Sequence, residues 1–189
     1  MIQGFLDLAS AFGLSTSAGL NAYIPMLTLA LLARFTSLIE LQEPWSHLTN
    51  GWIIAMLAVL LVIEELADKI PAIDTVNDVI QTFIRPTAGA IVFAATTQSS
   101  INMHPVLALG CGVILAGGVH VVKAGARPVL TATTAGIANP IVSTIEDVVS
   151  AVTSFVAIIF PYLIVLWCIL LVTLVILIIR WRRRHAAEV

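Results

Sequence analysis

Three apolar runs in the second half of the chain set the terms for the rest of it. Pro105–Ala124, Ile141–Phe160 and Tyr162–Ile179 each hold 18 to 20 residues, with at most two Asp, Glu, Lys or Arg in any of them. At 1.5 Å per residue such a run covers about 30 Å, the thickness of bilayer hydrocarbon. A chain built this way folds with lipid as its solvent. Its 189 residues are 59% hydrophobic and 11% charged, where a soluble domain carries roughly 25% charge. The net charge of −2 supplies no basic surface for nucleic acid.

Upstream, Ala22–Ile39 and Trp52–Ala67 read as two more spans. Thr87–Thr97, extended by Phe83 and Ile84, reads as a short one. The count is therefore about six transmembrane helices in one integral membrane domain, residues 1–189. Residues 1–14 are too short and mixed to cross and predict an interfacial or half-inserted helix. With no Lys or Arg ahead of its apolar part, this segment does not resemble a cleaved signal peptide. Ser15–Asn21 predicts a turn or cap, with Pro25 tolerated just beyond it. Trp45 and Trp52 suit the membrane interface. Cys111 and Cys168 lie inside apolar runs and read as packing residues rather than a disulfide or zinc site.

Charge is concentrated where the second span ends. Glu64–Arg85 holds seven of the chain's twenty Asp, Glu, Lys and Arg residues. Pro71 predicts a helix break and Asp74 an N-cap. Val76, Val79, Ile80 and Phe83 then follow helical spacing apart from Asp74, Asp78, Gln81 and Thr82. This predicts an amphipathic helix on the cytoplasmic surface, ended by Arg85-Pro86. Two Gly- and Thr-rich segments, Ser15–Asn21 and Gly125–Pro140, predict broken or re-entrant stretches. They echo each other: Thr16-Ser17-Ala18-Gly19-Leu20-Asn21 against Thr133-Thr134-Ala135-Gly136-Ile137-Ala138-Asn139. Paired interrupted segments are one way transporters build a substrate site, and short matches between small-residue loops also arise by chance.

The basic tail, residues 180–189, orients the chain. With six spans and both termini in the cytoplasm, eight of nine Lys and Arg fall on the inner side and only Arg34 outside, in keeping with the positive-inside rule.

Three polar groups then converge at one depth in the cytoplasmic half. Glu64 and Asp68 share one face of the second span. Glu65 and Lys69 share the next and can pair. His120, Lys123 and Arg127 share a face at the end of the fourth span. Glu146 and Asp147 lie near the start of the fifth. Buried carboxylates can contact a hard divalent cation or relay protons, and Glu65 and Asp68 are the candidate metal or coupling groups. Asn21 and Asn139 are candidates to line the path. Lys69, Arg85, His120, Lys123 and Arg127 are candidate counter-charges or, with Thr131, Thr133 and Thr134, an anion or phospholipid head-group site. Interior charges can equally lock helices together. Ala108, Gly112 and Ala116 form a small-residue face suited to close helix contact or a homo-oligomer. No Walker, GxSxG, HExxH or dinucleotide motif occurs, which leans away from an enzyme.

Four segments together, STSAGLNAYIP, ADKIPAIDTVNDVIQTFIRPTAGA, HVVKAGARP and ANPIVSTIED, resemble a family of small bacterial membrane proteins known as domain of unknown function four-one-two-six. The resemblance runs in order over most of the chain. It implies a polytopic inner-membrane protein and no particular activity. Locally, Glu65-Leu66-Ala67-Asp68-Lys69 is similar to the Glu-x-Gly-Asp-Lys-Thr motif of manganese and calcium exporters, departing from it at Ala67 and Ile70. The expectation is an all-α polytopic bundle that carries a small ion or solute, by way of a divalent cation or a proton. The alternatives are a scaffold docking a cytoplasmic partner through Asp74, Asp78 and Arg85, or an anion or head-group binder.

Overall fold

The computed structural model describes residues 2–68, 71–98, 101, 103–166, 169 and 173, with the backbone alone at 71–76 and 78. Among these residues there are six α-helices, one short 3-10 helix at Trp45–Thr49, and no strand. The α-helices are α1 (Ile2–Leu20), α2 (Tyr23–Phe35), α3 (Gly51–Ala67), α4 (Pro71–Thr97), α5 (Pro105–Thr134) and α6 (Asn139–Ile159). Residues 161–166 turn helically again beyond Phe160. The sixth expected span, Cys168, Lys69 and the basic tail fall largely or wholly outside the described residues.

The protein is an all-α membrane bundle. Val79–Thr97, Pro105–Thr134 and Asn139–Ile159 are long and apolar enough to cross a bilayer, and Tyr23–Phe35 is a shorter apolar helix. Its polarity is reversed relative to a water-soluble protein. Along α3, Trp52, Met56, Val59, Val62, Ile63 and Leu66 are exposed. The residues α3 buries are Leu57 and Glu64. On this helix the large apolar side chains face outward and a carboxylate faces inward, as lipid solvation allows, while Leu14, Leu29, Val92 and Phe93 pack the apolar core.

Three sequence expectations give way here. First, α1 does not stop at Leu14. It continues through Ser15–Leu20 and is packed by α2, α4, α5 and α6. Ser15, Ser17, Ala18 and Gly19 are all buried, because small residues let neighbouring backbones approach rather than turn. Ser15 Oγ donates to the Gly89 carbonyl at 2.9 Å. Ser17 Oγ meets Ser150 Oγ at 2.8 Å and Ser154 Oγ at 2.7 Å.

Second, Arg85-Pro86 does not end a helix. α4 starts at Pro71, so Asp74 is inside it and not its cap, and it runs through Pro86 to Thr97. The expected surface helix and short third span are one element. The amphipathic pattern holds with its direction reversed: Val79, Ile80 and Phe83 are exposed while Gln81 and Arg85 are buried. Third, α5 outruns its expected end at Ala124 by ten residues, passing Pro128. The break shrinks to residues 135–138, with Ala135 at φ 52° and Gly136 at φ 81°.

α5 carries a continuous inner stripe. Ala108, Gly112, Ala116, His120, Lys123 and Arg127 are its buried residues, spaced three or four apart as one helix face demands. The small half abuts α4, where a Cβ on Gly112 would overlap the Gly89 carbonyl. The expected small-residue face is thus spent on packing inside the bundle. The polar half leads to the site.

Candidate functional site: a buried ionic cluster

The three charged groups that the sequence sets at one depth come together. Arg85 on α4, fully buried at 0% exposure, donates through Nη2 to Glu64 Oε1 of α3 at 3.0 Å. Its Nη1 lies 3.2 Å from His120 Nδ1 of α5. His120 Nε2 lies in turn 3.0 Å from Thr82 Oγ1. One turn further along α5, Lys123 Nζ pairs with Glu146 Oε2 of α6 at 2.8 Å and donates to the Leu20 carbonyl at 3.1 Å. Arg127 Nη2 stands 3.4 Å from Asp68 Oδ2 and 3.8 Å from Glu146 Oε2. Asp68 also accepts from Ser143 Oγ at 2.6 Å and from Asn77 Nδ2 at 2.8 Å. Four helices and the α1–α2 junction therefore meet through polar side chains.

Local sequence explains each placement. The α1–α2 junction is a break at Asn21, whose Oδ1 accepts from the backbone N–H of Tyr23 and Ile24 at 3.0 and 3.1 Å. That caps α2 and leaves Asn21 Nδ2 to donate to Asp147 Oδ1 at 2.9 Å. Asn139, by contrast, bonds Thr131 on the preceding helix at 3.0 Å, and no described bond ties it to the cluster.

An ionised side chain at membrane depth costs several kcal/mol unless paired. The pairings Glu64–Arg85, Asp68–Arg127 and Glu146–Lys123 meet that demand. Arg85, Lys123 and Arg127 are thus counter-charges already engaged by acids. They are also core charges rather than loop charges, so they do not bear on orientation by the positive-inside rule. Arg85, fully buried, is unavailable to a docking partner. Among the described residues no group of three or more His, Cys, Asp and Glu side chains could hold a metal. Asp74 and Asp78 lie on the first turns of α4, where only the backbone is described.

Some polar atoms in the cluster have no hydrogen-bond partner although buried. They include Glu64 Oε2, Gln81 Oε1 and Arg85 Nε. Gln81 precedes Arg85 by one turn on α4. Buried polar atoms of this kind are where ordered water or a small polar ligand binds.

Asn77, Ser143, Ser150 and Ser154 are missing from the sequence reading, and Gln81 and Ser17 appear there without a place in the site. A signal was present. Asn77, Gln81 and Arg85 step by four along α4, and Ser143, Glu146/Asp147, Ser150 and Ser154 step by three or four along α6. In a lipid-facing helix a polar stripe marks the inner face.

These features define a helical integral membrane protein that carries a buried ionic cluster beside an apolar core. Residues 8–181 match the family model described as Domain of unknown function (DUF4126), and the chain belongs to that family. No curated protein and no solved structure matches it.

Proposed function

We infer that the protein moves a small ion or solute across the bacterial inner membrane, using the buried cluster as its coupling site. The carrying observation is that acids and bases from α3, α4, α5 and α6 meet inside an apolar exterior. Ionisable groups facing a bundle interior mark ion and substrate pathways. Helix locking alone needs fewer of them, since small-residue and hydroxyl contacts already join α1 to α4 and α6. Glu65 and Asp68 remain the proposed ion-contacting groups, with Glu64, Glu146 and Asp147 beside them, Arg85, Lys123 and Arg127 as counter-charges, and Asn21 at the edge of the path. A divalent cation at Asp68 would have to displace Arg127, which favours a proton. The site belongs to the cytoplasmic half, with both termini inside.

The test is transport by the purified protein in liposomes, with manganese, magnesium, calcium, phosphate and small organic anions offered under an imposed pH gradient. Wild-type flux above protein-free liposomes, reduced at least tenfold in Asp68→Asn, is expected. A flat result across the panel, from protein shown folded by its thermal transition, would sink this function. Ligand at a hundredfold excess over its Kd stabilises by about 2.7 kcal/mol, so the same panel read by thermal shift finds binding without transport.

A further inference from the structure

We propose that His120 is a proton-binding residue of the cluster, exchanging its bond from Arg85 for a proton at Nδ1. Donor and acceptor chemistry fixes the state of the ring. Arg85 Nη1 lies 3.2 Å from His120 Nδ1. A guanidinium offers N–H donors and no acceptor, and it keeps its proton in proteins. Nδ1 is therefore the acceptor, and its lone pair carries no hydrogen. A neutral imidazole holds its one proton on the other nitrogen. Nε2 carries it here and donates to Thr82 Oγ1 at 3.0 Å. Both sides of the ring are thus held by α4, through residues one turn apart. His120 is 2% exposed. In this arrangement the ring is neutral and not a counter-charge. Imidazole is also the side chain whose charge ordinarily changes between about pH 5 and 8.

A proton from water forms an N–H bond at Nδ1, using the lone pair that Arg85 had engaged. The Arg85–His120 hydrogen bond breaks, and no covalent bond does. The ring gains one positive charge and meets a second one 3.2 Å away, so Nη1 withdraws. Arg85 has somewhere to turn. It holds Glu64 by a single bond, Nη2 to Oε1 at 3.0 Å. Arg85 Nε and Glu64 Oε2 are both buried without a hydrogen-bond partner. These are the donor and the acceptor that a side-on, two-point arginine–carboxylate pair would join. A small rotation of the guanidinium converts the single bond into that pair, and departure of the proton reverses it.

The charged and titratable groups about His120 come from several helices. They are Arg85 from α4, Glu64 of α3 beyond it, Lys123 one turn on along α5, Glu146 of α6 bound to Lys123, and the buried Tyr23 at the start of α2. From α1, Gly19 packs on Ala116 and Val119 of the preceding turn. Naming the proton as coupling ion rests on the transport function above; the binding site itself does not.

Nitrogen NMR of the full chain in lipid bilayers, with histidine and arginine labelled, tests the site without any substrate. At pH 8 one histidine ring should show an unprotonated Nδ1 in contact with an arginine Nη, and a protonated Nε2. That signal should be lost in His120→Gln and kept in His47→Gln, which alters an exposed loop histidine. On acidification Nδ1 should gain a proton and lose its arginine contact in the same step, reversibly, with the Arg85 Nε signal shifting alongside. A protonated Nδ1 at pH 8, an arginine contact that survives protonation, or a ring that stays neutral at every pH where the chain is folded overturns the proposal. Should His120→Gln fail to fold, the arginine contact itself marks the ring and the wild-type titration decides. Liposome flux separates the two readings. The exchange of arginine for proton without flux leaves the proton site standing and removes transport; flux without the exchange removes the proton site alone.

Discussion

The two echoing junctions, Thr16–Asn21 and Thr133–Asn139, begin from nearly the same residues and end in different roles. At the first, α1 stays helical to Leu20 and the chain breaks only at Asn21. Ser17 and Ala18 are at 0% exposure and Asn21 at 1%. At the second, the helix stops at Thr134 and the chain crosses to α6 through the left-handed backbone of Ala135 and Gly136. Ile137 there is 78% exposed. The same Ala-Gly step is helical at Ala18-Gly19 and left-handed at Ala135-Gly136, so the local sequence alone does not set where the helix breaks. What surrounds them differs: the first is enclosed by helices and tied to the ionic cluster, the second lies at the margin. A sequence echo in small residues reports neither a shared backbone geometry nor a shared role.

That contrast can be broken by matched substitutions. The largest effect is expected at the glycines. A Cβ on Gly19 would stand 2.5 Å from the Ala116 carbonyl oxygen and 2.6 Å from Val119 Cβ. Gly19→Ala should push α1 off α5 and cost about 3 kcal/mol. Gly136→Ala meets open space and bears only left-handed backbone strain of roughly 1–2 kcal/mol. Thermal unfolding in one detergent compares them; equal losses would erase the distinction. Next come the asparagines. Asn21→Ala removes the cap of α2 and the donor to Asp147, for about 2 kcal/mol. Asn139→Ala removes the bonds to Thr131, for about 0.5 kcal/mol. A larger loss at Asn139 would contradict the placement of the cluster. The smallest pair is hydroxyl. Ser17→Ala loses its bonds to Ser150 and Ser154, worth about 1 kcal/mol between membrane helices. Among the described residues Thr134 Oγ1 bonds only back to Leu130 in its own helix, and Thr134→Ala should be close to neutral.

Much of this was legible beforehand, for identifiable reasons. Long apolar runs reveal α5 and α6 because lipid solvation leaves no other use for them. The three charged groups converge as expected because helical spacing sets their faces and span counting sets their depth. Proline misled at Pro86 and Pro128. In water a mid-helix proline ends most helices, but a membrane helix continues because neighbouring groups satisfy the freed carbonyls. Small hydroxyl residues misled at Ser15–Leu20, where turn chemistry and close interhelical packing call for the same residue types. The amphipathic stretch of α4 was visible, and only its direction was inverted, since periodicity does not say which solvent lies outside. The pairing of individual acids and bases was not legible, because it depends on how helices rotate about their axes.

Pro86 has a further consequence. It offers no N–H to the carbonyl of Thr82, so α4 can flex there, while Gly89, three residues on, is pressed against Gly112 of α5. The stretch before Pro86 is a lever with its pivot at one end. Asn77 lies nine residues from the pivot, so a swing of about 10° moves it by about 2 Å at 1.5 Å of rise per residue. That is enough to part the 2.8 Å Asn77–Asp68 bond. Arg85, adjacent to the pivot, would travel only about a tenth as far on the same arithmetic. A bend at Pro86 would thus leave the Arg85–Glu64 pair nearly in place and would part the Asn77–Asp68 bond first.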